Sequence, residues 1–284
     1  MAPSTIDYQP EQGAASGSYA PVNGLKMYYE THGHGEKDQA PLVMLPGGLG
    51  GAAMFGQALD VMAKSRQVIA VELQGHAHTA DIDRPFRWES LADDVAALIR
   101  YLGLPRADVC GYSLGGGVAL ETAIRHPDLV RKLVLVSAPC HQDGWYPQVR
   151  VDMGKTNAEN ARGWIGSPMQ KAYAAVAPQP ENWPLLAEKT GELLRREYDR
   201  SREFAALPMP VLIALGDADA VRPAYAVEMF EMLGGGQRDA GWDGAGMPRS
   251  RLAVLPGTTH YNIFASPLLV PVVNIFLDEV REDN

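Results

Sequence analysis

Apolar positions along the chain fall into two periods. Short continuous apolar runs at 41–45, 67–72, 131–136, 210–215 and 251–255 are bounded by polar or turn residues. Runs of this length and kind predict central parallel strands covered on both faces. The stretch 106–110 reads as another strand, and 25–31 as an edge strand. Apolar residues at helical spacing predict helices over 91–102, closed by Gly103, and over 118–124. A closing helix is expected at 268–280, with Pro271 in its first turn or kinking it. Strands alternating with helices predict an α/β domain with a mostly parallel central sheet of about eight strands, right-handed crossovers and helices on both sides.

The alternation lapses over 140–206, where helical patches, prolines and large side chains replace strand-like runs. This segment is expected to be a helical cap inserted over the C-terminal edge of the sheet, where such sheets bind ligands. The expected division is a flexible N-terminal arm at 1–18, a core at 19–139 and 207–284, and the cap at 140–206. The Gly-rich stretch 234–248 is a loop, long for a compact domain, whose role the pattern does not reveal.

Composition narrows the surroundings. With 46% hydrophobic and 21% charged residues, the 284-residue chain can bury a sizeable core. A net charge of −9 argues against nucleic acid or an anionic membrane as partner. No apolar run reaches the roughly 18 residues of a membrane span. The N-terminus has neither a basic start nor an apolar core, so no secretion signal is expected. Two cysteines, Cys110 and Cys140, cannot form a disulfide framework, and a reducing cytoplasm is expected. Cys110 reads as a small hydrophobe at a strand end.

Candidate chemistry begins at Gly111-Tyr112-Ser113-Leu114-Gly115, set between a predicted strand and a predicted helix. Serine is a weak nucleophile at neutral pH and must be exposed and activated. A sharp strand-to-helix turn exposes it, and flanking glycines make room for the bend. The base is expected to be His260, on the loop after the last strand and over the same sheet edge as Ser113. Gly216-Asp217-Ala218-Asp219 follows the strand before it. Asp219, further along that loop, is preferred over Asp217 as the acid that orients His260, and Asp143 is a distant third. Asp217 is expected to hold the turn. The oxyanion donors are expected to be the Leu114 amide and, from Leu45-Pro46-Gly47-Gly48-Leu49-Gly50-Gly51, the amide of Gly48, with Leu49 as alternative. That loop lacks the Lys-Ser/Thr and the glycine spacing of a phosphate cradle.

At these residues the chain resembles the α/β-hydrolase fold family, in particular its serine esterase and lipase-like members with a helical cap. The resemblance spans roughly 22–280 and includes Val71-Glu72-Leu73-Gln74-Gly75-His76 and Gly257-Thr258-Thr259-His260. The order serine, aspartate, histidine matches that of the family. Two departures stand out. Pro46 occupies a position where relatives often carry histidine, and Glu72-Leu73-Gln74-Gly75-His76-Ala77-His78-Thr79 replaces a common Asp-x-x-Gly-His-Gly-x-Ser. The first removes a side-chain partner but no backbone donor, and the second falls in a segment that is usually structural.

The resulting expectation is a serine hydrolase cleaving carboxylic esters of small or medium uncharged substrates through an acyl-enzyme, without cofactor. A C–C bond hydrolase, a lactonase and a cofactor-free haloperoxidase-like enzyme use the same triad, and a ligand receptor on a hydrolase scaffold is the reading from another class. The partner is a small-molecule ester, with a homodimer left open. Leu49, Trp145, Trp164 and His141 are candidate pocket residues, whereas Tyr146, Tyr173 and Trp183 read as cap core. His76-x-His78 and His32-x-His34 lack a spaced third ligand, so no metal is expected. His126 reads as a helix-end residue.

Overall fold

The computed structural model describes residues 16–35 and 39–279. The chain runs through β1 (Ser16–Val22), β2 (Leu25–His32), β3 (Leu42–Leu45), α1 (Gln57–Met62), β4 (Val68–Val71), α2 (Trp88–Tyr101), β5 (Ala107–Tyr112), α3 (Leu114–Arg125) and β6 (Val130–Val136). It continues through α4 (Pro147–Gly154), α5 (Ala158–Gly163), α6 (Pro168–Val176), α7 (Trp183–Leu194), α8 (Ser201–Ala205), β7 (Val211–Ala218), α9 (Pro223–Met232), β8 (Arg251–Thr259) and α10 (Leu269–Asp278). The strands form one eight-stranded sheet in the order β1-β2-β4-β3-β5-β6-β7-β8. β1–β2 and β2–β4 are antiparallel, and the remaining pairs are parallel.

Side chains alternate across a strand, so a strand buried on both faces must supply two cores. Val43, Leu45, Val109, Leu133, Leu135 and Ile213 pack with α2 and α3 on one face. Met44, Cys110, Val134, Val136 and Leu212 pack with α1 and α10 on the other. Pro271 falls in the first turn of α10, where its missing N–H costs nothing. Burial pushes the Cys110 thiol up to about 12, which leaves it an inert core residue. No helix among the described residues is long and apolar enough to cross a membrane.

Two expectations at the N-terminal side are corrected. Residues 16–18, assigned to the arm, already pair with β2, Gly17 opposite Glu30 and Ser18 opposite Tyr29. β2 is therefore an inner strand, and β1 is the edge. Asn23-Gly24, both at positive φ, forms the two-residue hairpin turn that returns the chain onto β2. The rest of the expected arm, 1–15, lies outside the described residues. Residues 234–248 carry no helix or strand, and α4 to α8 occupy the segment between β6 and β7.

Candidate active site

Ser113 stands between the last residue of β5 and the first of α3 with φ 53° and ψ −118°. A non-glycine residue pays about 1–3 kcal/mol for such a conformation, and it persists here because its surroundings over-determine it. The Ser113 N–H donates to the Val136 carbonyl at 3.0 Å, and its own carbonyl accepts from Gly117 at 3.1 Å. A Cβ on Gly111 would come within 2.2 Å of the Gly115 carbonyl oxygen, and one on Gly115 within 2.3 Å of those of Leu45 and Pro46. Both positions require glycine, and the second packs the start of α3 directly against the loop after β3.

The other two candidates converge on this elbow from neighbouring strand ends. His260, just after β8, has Nε2 3.0 Å from Ser113 Oγ and Nδ1 2.9 Å from Asp219 Oδ1. Asp219 and His260 are both buried. Burial alone would raise the Asp219 carboxyl. The hydrogen bond and charge of His260, aided by bonds from Ser137 and Val221, hold it below the ordinary carboxylate value instead. An ionised carboxylate only accepts, so Nδ1 must carry the ring proton and Nε2 is left free to accept the Ser113 hydroxyl proton. Asp217 is exposed and accepts the Thr258 N–H at 3.1 Å, a bond that ties the end of β7 to β8.

Several supporting residues had not been singled out. Ser137, at the end of β6, donates its hydroxyl to Asp219 Oδ2 at 2.5 Å. Tyr112 donates its hydroxyl to the His260 carbonyl at 2.7 Å and packs its ring 5.1 Å from the imidazole. Glu72 accepts from the backbone N–H of Ala52 and of His78, tying the loop after β3 to the turn at 76–79. The only local signal was that Tyr112 and Ser137 immediately follow or end apolar runs.

Ser113 opens onto a cavity of about 1020 Å³ lined by Gly48, Leu49, Leu114, Trp145 and Trp164 among others. The loop carrying Gly48 lies against the start of α3: a Cβ on Gly48 would be 3.2 Å from Leu114 Cδ1. Leu49 has a φ of 65°. The Trp145 ring stands edge-on to His260 at 5.7 Å, and its Nε1 donates to the Tyr198 hydroxyl at 2.9 Å. His141 does not line the cavity. Its Nδ1 accepts the Asp143 N–H at 3.1 Å, so the ring caps its own short turn. Asp143 pairs with Arg150 rather than with His260.

The charged groups in the wall are all engaged. Arg200 pairs with Glu121 at 2.6 Å, Asp152 with Lys155 at 2.7 Å, and Arg195 donates to the carbonyls of Gly154 and Thr156. Histidines considered as metal ligands are placed elsewhere: His32 pairs with Glu30, His78 with Glu72, and His76 is buried against Phe86. Among the described residues no group of three or more His, Cys, Asp or Glu is arranged to hold a metal ion.

A family model for the alpha/beta hydrolase fold matches residues 40–165. A Caulobacter sp. (strain K31) protein, named as a candidate carbamate hydrolase, RutD, is 34% identical over 247 residues, covering 79% of this chain and 90% of that protein. The enol-lactonase from Burkholderia xenovorans LB400 superposes with a TM-score of 0.69 at 21% identity, covering 92% of this chain and 100% of that one. The meta-cleavage product hydrolase from Pseudomonas fluorescens IP01 gives a TM-score of 0.71 at 20% identity, covering 94% and 98%. At these identities the two solved structures speak for the fold alone.

Proposed function

The chain belongs to the α/β-hydrolase fold family, and from that premise we propose a serine hydrolase that cleaves carboxylic esters of small to medium uncharged substrates. The observation that carries this reading is the unbroken chain Asp219–His260–Ser113, at 2.9 and 3.0 Å, ending in the cavity. His260 takes the Ser113 proton as the oxygen attacks the carbonyl carbon, and Asp219 stabilises the imidazolium. The amides of Leu114 and Gly48 receive the negative oxygen. His260 then returns the proton to the leaving alcohol. Water, activated by the same ring, releases the acid from the acyl-enzyme. An uncharged substrate is supported by the engaged state of every arginine in the wall. The helices at 140–206 act as a cap that selects substrate.

The relatives' names favour a second reading, in which the bond broken is that of a carbamate, a lactone or a C–C pair. The same three residues serve each. A fluorophosphonate should label Ser113, Ser113→Ala should abolish labelling, and p-nitrophenyl butyrate should turn over repeatedly. An adduct on another residue overturns the assignment, and turnover of carbamates or lactones alone moves the substrate to the second reading. A single slow turnover with a lasting adduct points instead to a receptor.

A further inference from the structure

The tetrahedral intermediate fixes which part of the substrate meets which part of the cavity. Its carbon carries Ser113 Oγ, the oxygen received by the Leu114 and Gly48 amides, the acyl chain and the leaving oxygen. His260 must donate to the leaving oxygen, and its Nε2 lies 3.0 Å from Ser113 Oγ. The leaving alcohol therefore sits against the imidazole, and the acyl chain takes another part of the cavity.

Two aromatic residues that line the cavity also border the imidazole. The Tyr261 ring stands edge-on to His260 with centroids 5.5 Å apart, as the Trp145 ring does at 5.7 Å. Trp145 is tied to the loop of the acid: it bridges Val221, and the N–H of the next residue donates to the Ala220 carbonyl at 3.2 Å. The indole bond to Tyr198 fixes the ring itself. Tyr261 is held by its backbone. Its N–H donates to Thr259 Oγ1 at 3.3 Å, and the Thr259 N–H donates to Asn262 Oδ1 at 2.7 Å. Tyr261 is nonetheless 87% exposed.

A single exposed aromatic residue is ordinary. Tyr261 is not single: Val151 on α4 is 56% exposed, Met169 on α6 is 45% exposed, and both line the same cavity. Three large side chains from separate elements thus border the cavity while staying open to solvent. None gains much from the packing of its own fold, and exposed apolar groups gathered around one cavity mark a binding site. The two rings and the polarisable sulfur of Met169 attract a π system more strongly than a saturated ring of the same size.

We propose that Tyr261 and Trp145 form a leaving-group subsite that takes an aromatic alcohol, so that benzyl and aryl esters are preferred over alkyl ones. This deepens the ester-hydrolase reading and rests on it for turnover, though not for binding.

The test varies the leaving group alone. Benzyl acetate and cyclohexylmethyl acetate are near-isosteric and deliver the same acetyl-enzyme, so the ratio of their kcat/KM values isolates the alcohol. With each rate divided by its hydroxide-catalysed rate, the parent should favour the benzyl ester by about eightfold. Tyr261→Leu and Trp145→Leu should each cut that ratio by about threefold, and Tyr261→Phe should keep it. Thermal melts confirm folding, and the exposed position of Tyr261 keeps the test open if Trp145→Leu does not fold. A control pair carries the ring on the acyl side: the ratio for methyl phenylacetate over methyl cyclohexylacetate should be the same in the parent and in Tyr261→Leu. Ligand-observed NMR of the two acetates with Ser113→Ala, with and without Tyr261→Leu, measures the preference without turnover. If no ester is hydrolysed, a benzyl preference in binding that falls with Tyr261→Leu keeps the subsite and counts against the ester reading alone, whereas its absence overturns both. A parent that hydrolyses both acetates without preferring benzyl overturns the subsite. So does a preference that Tyr261→Leu or a folded Trp145→Leu leaves unchanged, or a Tyr261→Leu effect confined to the acyl pair.

Discussion

Asp219→Asn changes one atom and places a donor where four groups now donate. His260 Nδ1 and the Val221 N–H meet Oδ1, while the Ser137 hydroxyl and the Gly216 N–H meet Oδ2. An asparagine oxygen can serve only one side. If it keeps His260 and Val221, Ser137 can rotate to accept, but the Gly216 N–H faces the new NH₂. If it keeps Ser137 and Gly216, the Val221 N–H is orphaned and His260 Nδ1 must accept, which puts the proton on Nε2. Either orientation strands one buried N–H, at about 1–3 kcal/mol of stability. The first loses the charge that stabilises the imidazolium, and the second also blocks Nε2 from accepting the serine proton. The expected fall in kcat is about a thousandfold or more, equivalent to about 4 kcal/mol in the transition state. Asp217→Asn retains an oxygen for Thr258 and should leave kcat within about twofold, as for most surface changes. Steady-state kinetics on p-nitrophenyl butyrate, with thermal melts to confirm folding, decides the matter. A folded Asp219→Asn variant that keeps more than about a tenth of kcat, or an Asp217→Asn that is the more damaging, refutes the reasoning.

Three further outcomes follow from the surroundings of the triad. Burial lowers His76 to about 4, so its folded value lies below its ordinary one of 6.5 and the stability it contributes is lost as pH falls through that window. The loss amounts to about 2 kcal/mol between pH 7.5 and 5, and denaturant titrations should show it in the parent but not in His76→Leu; equal pH slopes in the two would reject the assignment. Glu72→Gln can keep either the Ala52 or the His78 N–H but not both, so it should cost about 1–3 kcal/mol by denaturation. It should also lower kcat more than it raises KM, and an unchanged kcat would mean that the loop after β3 is held without it. Trp164→Ala, which removes a large side chain from the cavity wall, should shift the preferred acyl or alcohol length, each methylene being worth about 1–3 kcal/mol; a folded variant with the parent's chain-length profile would show that this wall does not meet substrate.

The three central residues were legible because each follows a short apolar run, and the carboxyl ends of parallel strands meet at one edge. Ser113 was marked by Gly111 and Gly115 around a strand-to-helix turn, and Asp219 and His260 by a chemically suitable side chain just beyond a strand, in the chain order of the family. Asp217 and Asp219 were separated in the sequence by reach alone. The structure separates them by burial and by the carboxylate's four donors, none of which a linear pattern displays. The polar, aperiodic residues at the N-terminal side show no strand pattern, so the first three residues of β1, 16–18, were placed in the expected arm and the hairpin at Asn23-Gly24 was not read.

What stayed hidden has a common cause. Ser137 acts on Asp219 because β6 and β7 are neighbours in the sheet, although the two residues are far apart along the chain. Tyr112 likewise reaches the carbonyl of His260 across the sheet edge.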